Sequence, residues 1–298
     1  MPGTGVSRKQ REKLNPASFG FQSKGLIKKL LLSAAAASLF AATAAQADPF
    51  ILAGTDAEDH GFFGSGANQD GWLFIQRALE NIAGGVTTGN KIVTILGTGA
   101  GNARNAANSA FDNSSLAGLG GWTRNFVSVA NFDTFFGAGG NLGTGILMMD
   151  SGANVGGGVN GINFNAHSTK IDQFLLAGGG LFSQANGYSW LSTLISGITV
   201  SPQNTGGISS GMAMTAAGTA AFPGLTNQDL GTGPYHQTFS NFGSLTVLAT
   251  GINNQSGLNV ILGGRSGSIT SQVPEPTLLA LVGLALAGVA VSIKRKRA

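Results

Sequence analysis

Five short apolar runs constrain this chain most: PFILAG (49–54), KIVTIL (91–96), NFVSVA (125–130), GILMMD (145–150) and GLFS (180–183). Each is shorter than an ordinary helix and mostly apolar, the pattern of strands buried on both faces of a sheet. Helical periodicities lie between them. Trp72, Ile75, Leu79 and Ile82 fall at i, i+3, i+7 and i+10, with Asp70 placed to cap the helix and Gly84 to end it. An Ala-rich helix is expected from about Ala103 to Phe111. Thr169 and Asp172 have capping-box spacing, Ile171, Phe174 and Leu175 supply an apolar face, and Gly178 is the stop. The stretch 55–69 reads as a polar loop and Trp190–Ile195 as a short helix. LTVLAT (245–250) and LNVILG (258–263) read as a hairpin. Strands alternating with helices predict an α/β domain: a mostly parallel sheet with helices on both faces.

The two ends read as targeting signals. Residues 1–47 form a signal peptide with an extended basic leader. Lys24, Lys28 and Lys29 precede an apolar stretch that closes on Ala45-Gln46-Ala47, so cleavage is expected between Ala47 and Asp48. The body occupies 48–265, and a linker, 266–276, ends on Pro274-Glu275-Pro276. The apolar segment 277–293 is a transmembrane helix by expectation. At about 1.5 Å per residue it covers roughly 25 Å, the short end of what spans a bilayer. The tail 294–298 carries Lys294, Arg295, Lys296 and Arg297, the positive flank that stays cytoplasmic.

The charge of +4 belongs to these ends. Residues 48–273 hold six Lys and Arg against eleven Asp and Glu, a net −5, so nucleic acid is not an expected partner. The absence of cysteine excludes disulfides, thiolate metal sites and a cysteine nucleophile. With 48 glycines the chain could suit a β-solenoid, but no fixed repeat period is present.

The order Pro274-Glu275-Pro276, apolar helix, basic terminus resembles the PEP-CTERM sorting signal of Gram-negative bacteria that make exopolysaccharide. The resemblance implies export through the secretion machinery and an intermediate anchored in the inner membrane. An exosortase-type processing enzyme would then release the body to the cell surface or extracellular matrix, with exopolysaccharide as a partner there. In the body, KIDQFLLAGGGLFSQ (170–184) and the later AAFPGL…GPYHQTF resemble the class I glutamine amidotransferase-like superfamily, in its trehalose-utilisation-type branch. That resemblance covers about Phe50 to Gly264 and implies a flavodoxin-like sheet. It places Ser183 nearest the position where the family carries a cysteine nucleophile, so a non-catalytic domain is expected.

Open parallel sheets bind ligands beyond the carboxyl ends of their strands, where the loops 55–70, 97–102, 150–158 and 183–187 should meet. The alternative to a non-catalytic domain is an exported hydrolase or carbohydrate-active enzyme. In one version Ser183 is the nucleophile and His236 its base, oriented by Asp229 or Asp150. In another, Asp56, Glu58 and Asp59 in the DAEDH run hold calcium or magnesium, ions that need converging oxygen ligands. GTGAGNA (97–103) has Asn102 where a dinucleotide fingerprint needs glycine, so it reads as a tight strand-to-helix turn. Trp122 beside Arg124 would stack on a sugar if exposed.

Overall fold

The computed structural model describes residues 49–97, 101–137, 142–152, 158–202, 211–231, 233–252 and 257–264. The expected signal peptide, linker, membrane span and basic tail lie outside these residues. Among the described residues no helix is long and apolar enough to cross a membrane.

The chain forms β1 (Phe50–Ala53), a hairpin of β2 (Gly61–Gly64) and β3 (Ala67–Asp70), α1 (Gly71–Gly85), β4 (Ile92–Leu96), α2 (Gly101–Asp112) and β5 (Thr123–Val127). There follow α3 (Phe132–Phe136), β6 (Ile146–Met149), α4 (Ser168–Leu176), β7 (Gly180–Ser183), β8 (Thr199–Pro202) and β9 (Met212–Met214). The last elements are α5 (Ala216–Ala221), α6 (Asn227–Leu230), β10 (Gln237–Ser240), β11 (Thr246–Gly251) and β12 (Asn259–Gly264).

All strands but β2 and β3 join one ten-stranded sheet, whose main path runs β5-β4-β6-β7-β1-β12-β10-β8. From β5 to β1 every pairing is parallel. Beyond β1 the pairings are antiparallel, and β11 joins β12 to β9. The expected α/β class and the parallel half of the sheet are therefore present, as is the β11–β12 hairpin. The flavodoxin-like order is not: there the first strand pairs with the second and third parallel strands, whereas β1 pairs with β7 and β12.

β1, β4, β6 and β7 bury both faces, as their apolar runs require, whereas β5 lies at the sheet edge and buries only Val127, so the NFVSVA run is not a doubly covered strand. Ile51, Ile95, Met148 and Phe182 pack on one face with Phe74, Leu79 and Ile82 of α1 and with Ala106 and Ala110 of α2. Leu52, Leu96, Met149 and Leu181 pack on the other with Phe132 and Phe136 of α3, Ile171 and Phe174 of α4, and Trp190.

Local signals are displaced in several places. The expected loop 55–69 contains the β2–β3 hairpin, turned by Ser65 and Gly66 at positive φ (53° and 81°), the requirement of a two-residue type I′ turn. Asp70 stands at the N-cap of α1 but makes no side-chain cap bond, and the helix runs past Gly84 to Gly85. The box at Thr169 and Asp172 does not form, because α4 begins at Ser168 and Thr169 is already inside it. Gly178, at φ 88°, does end that helix region, its amide bonding the Leu175 carbonyl. The expected helix at 190–195 is a single 3-10 turn, Leu191–Thr193.

Candidate functional site

The strands β1, β4, β6 and β7 end together, and the chain beyond β4 goes to β5 on one side and β6 on the other. That reversal makes the gap between β4 and β6 the topological switch point of the parallel block. Of the loops expected to meet at this end of the sheet, the described residues of those after β1, β6 and β7 do so. Ala185 N–H donates to Thr55 O at 3.1 Å and Gly152 N–H to Ala185 O at 3.0 Å. The Ser151 amide donates to Glu58 Oε1 at 2.9 Å, and its hydroxyl to Ala185 O at 3.0 Å.

The turn after β1 is held by α1. Trp72 Nε1 donates to Glu58 O at 2.9 Å, and the Gly71 amide donates to His60 O at 2.6 Å. A Cβ on Gly71 would stand 2.3 Å from His60 O and 2.4 Å from Ala57 O, so only glycine lets the helix start this close to the turn.

This turn sends its three carboxylates to different partners. Asp56, nearly fully buried, has Oδ2 at 2.9 Å from His236 Nε2 and Oδ1 at 3.6 Å from His60 Nε2. Burial works to raise its pKa, but the two imidazoles outweigh this and hold it below the usual carboxylate value. In return Asp56 raises the pKa of His60. Asp59 faces Asn102, whose Nδ2 lies 3.5 Å from its Oδ1. Glu58 is completely buried and turns toward β6, where burial pushes its pKa up to about 8 despite the Ser151 amide, with Asp56 and Asp59 adding repulsion. The expected ligand set Asp56, Glu58 and Asp59 is thus not gathered. Among the described residues no three His, Asp or Glu side chains are arranged to hold a metal.

Glu58 instead meets Asp150, the residue after β6. Asp150 is also completely buried, and its pKa is raised by that burial and by Glu58, with Arg104 acting in the opposite sense. Neither Asp150 oxygen has a hydrogen-bond partner, nor has Glu58 Oε2. Gln184, one residue past β7, is fully buried with both amide atoms unpartnered. The pairing Met148↔Phe182 continues through Gln184 N–H to Met149 O at 3.1 Å. Strand alternation therefore sets Asp150 and Gln184 side by side on the face covered by α1 and α2. Sequence reasoning passed over this pair. The available signal was a polar residue directly after an apolar strand, in GILMMD and GLFSQ, at the end where ligands bind.

Ser183 and His236 are not brought together. Ser183 is fully buried and belongs to the opposite face, in register with Leu52 and Met149. Its hydroxyl accepts from Asn186 Nδ2 at 2.8 Å. Asn186 Oδ1 in turn accepts from the Tyr188 amide and from Trp190 Nε1, each at 3.2 Å. His236 lies against Asp56, not Asp150. Asp229 closes a capping box with Thr226 at the start of α6, so it does not orient His236 either. Trp122 packs partly buried against the core, and Arg124 pairs with Asp112, which leaves no stacking platform there.

The hairpin makes a different surface. Phe62 and Phe63 are half exposed, and Phe63 borders a shallow cavity of about 340 Å³ with Asn105, Asn108, Ser109, Asp112 and Asn113. Asn68 anchors the hairpin to the helices, its Nδ2 donating to Gln76 Oε1 at 3.1 Å and to Ser109 O at 3.2 Å.

Comparison with known proteins finds the PEP-CTERM protein-sorting motif at residues 272–296. No curated protein and no solved structure matches the chain, so the amidotransferase-like resemblance of the body has no counterpart among them. The motif indicates an exported protein, anchored in a membrane until an exosortase-type enzyme cleaves it, with the cell surface as its destination.

Proposed function

We propose that the chain is a surface or matrix protein whose body binds extracellular polysaccharide and does not catalyse a reaction. The observation that carries this is the cavity beside Phe63. A half-exposed ring offers an apolar face to sugar C–H groups, and the adjoining amides, hydroxyl and carboxylate suit sugar hydroxyls. Asn108 Oδ1 is buried without a partner and supplies an acceptor that a ligand hydroxyl would satisfy. A nucleophilic role for Ser183 finds no such support, because its hydroxyl is committed to Asn186 and has no base beside it.

The test uses protein recovered from the cell surface and medium. Intact mass should show chains cut at both ends, and the processed protein should be retained on the producing cell's own exopolysaccharide. Phe63→Ala should lower that retention about tenfold while leaving the melting temperature nearly unchanged. Equal retention of the variant, or labelling of Ser183 by a fluorophosphonate probe, would count against this reading.

A further inference from the structure

Buried polar atoms in native proteins almost always have partners, so a concentration of orphans in one place calls for an occupant. The ends of β6 and β7 hold such a concentration. Asp150 Oδ1 and Oδ2, Glu58 Oε2, and Gln184 Oε1 and Nε2 have no hydrogen-bond partner, and all three residues are completely buried. The Ser151 amide holds the Glu58 carboxyl to the residue that follows Asp150, and the third oxygen donor, the Gln184 amide, stands in the register position beside Asp150. Arg104 does not close the gap: its guanidinium lies over the Phe126 ring, 3.7 Å from the centroid, and leaves both Asp150 oxygens unbonded.

We propose that Glu58, Asp150 and Gln184 bind one divalent, oxygen-preferring cation, calcium or magnesium, at the carboxyl ends of β6 and β7, beneath the turn that follows β1. Two carboxylates match the charge of such an ion, and oxygen is its preferred donor. Glu58 enters through Oε2, since Oε1 is held by the Ser151 amide. Gln184 enters through its carbonyl oxygen, as its NH₂ cannot ligate a cation. The ligands come from the ends of β1, β6 and β7, so the ion would clamp three strands whose order in the sheet is not their order in the chain. The site is separate from the Phe63 cavity, and its failure would leave the polysaccharide reading intact.

The experiment is metal analysis and thermal melting of the full-length chain in detergent. After EDTA treatment, millimolar CaCl₂ or MgCl₂ should raise the melting temperature by about 5–10 °C. Elemental analysis should find about one ion per chain. In Asp150→Asn the rise should disappear, and the metal-free variant should melt no lower than metal-free wild type, because an uncharged amide of the same shape replaces a buried carboxyl that has no hydrogen-bond partner. Should Asp150→Asn not fold, Gln184→Met should weaken ion affinity about tenfold in the same titration. Folded wild-type protein with no bound ion and no shift at 10 mM of either salt overturns the proposal and assigns the carboxylates a shared proton. A rise that persists in both variants overturns it too, by placing the ion elsewhere.

Discussion

Glu58 Oε1 accepts the Ser151 amide at 2.9 Å, fastening the turn after the first strand to the loop after the sixth. The bond places one fully buried carboxyl beside another, Asp150, and the behaviour of this end of the sheet follows from that contact.

Stability of the metal-free protein should depend on pH in a defined direction. Unfolded, Glu58 titrates near 4.5, while in the folded chain burial holds its proton to about 8. Across that window the folded state binds more protons at Glu58, so its contribution to stability is fully present below pH 4.5 and is lost as pH rises toward 8. The slope is about 1 kcal/mol per pH unit, and Asp150 acts in the same sense. His60, raised by Asp56, adds a loss only above its unfolded value of 6.5, so urea titrations from pH 4.5 to 6.5 isolate the carboxyls. Glu58→Gln should flatten that part of the profile.

His236→Gln should destabilise the chain by about 2–4 kcal/mol at pH 7, because it removes a partner from the buried Asp56 carboxylate. The depressed pKa of Asp56 makes its own contribution present above 3.8 and lost as pH falls through the lower folded value. The penalty in the variant should therefore shrink in acid, which denaturant melts at pH 7 and pH 3 would show.

Asn186→Ala should cost about 2–4 kcal/mol, since it strips partners from the Ser183 hydroxyl, the Tyr188 amide and the Trp190 indole in a buried setting. Tyr188 sits at φ 53°, a strained position for a bulky residue, and depends on that support. Near-ultraviolet circular dichroism of Trp190 and Tyr188 should weaken along with the urea midpoint.

Gly71→Ala should lower stability by about 1–3 kcal/mol, since its methyl group meets the His60 and Ala57 carbonyls. Gly66→Ala meets no neighbouring atom but must hold φ 81°, and about 1 kcal/mol is the expected loss. Comparing the two by thermal melts separates crowding from backbone strain.

Much of the parallel half was legible because its signals are local. An apolar run such as Ile51–Leu52 or Ile146–Met149 needs two covered faces wherever it sits, and the spacing of Ile75, Leu79 and Ile82 needs a helix. The β2–β3 hairpin went unread because its strands, GFFG and ANQD, carry no apolar alternation; the Ser65-Gly66 turn was the only mark. At the site, Asp56, Glu58 and Asp59 attracted notice as neighbours in sequence, yet the turn sends them to separate partners. Asp150 and Gln184, far apart along the chain, were joined only by strand register.

The sequence by itself determined the strands of the parallel block, the helices α1, α2 and α4, the β11–β12 hairpin, the acidic charge of the body and the sorting motif at 272–296, since each is written in contiguous residues. Tertiary structure alone decided that β1 lies between β7 and β12, that Ser183 and Gln184 face opposite sides of the sheet, and that His236 belongs to Asp56. Those outcomes depend on which strands pair and in what register. A shift of one residue would exchange the two faces, and no stretch of local sequence records that choice.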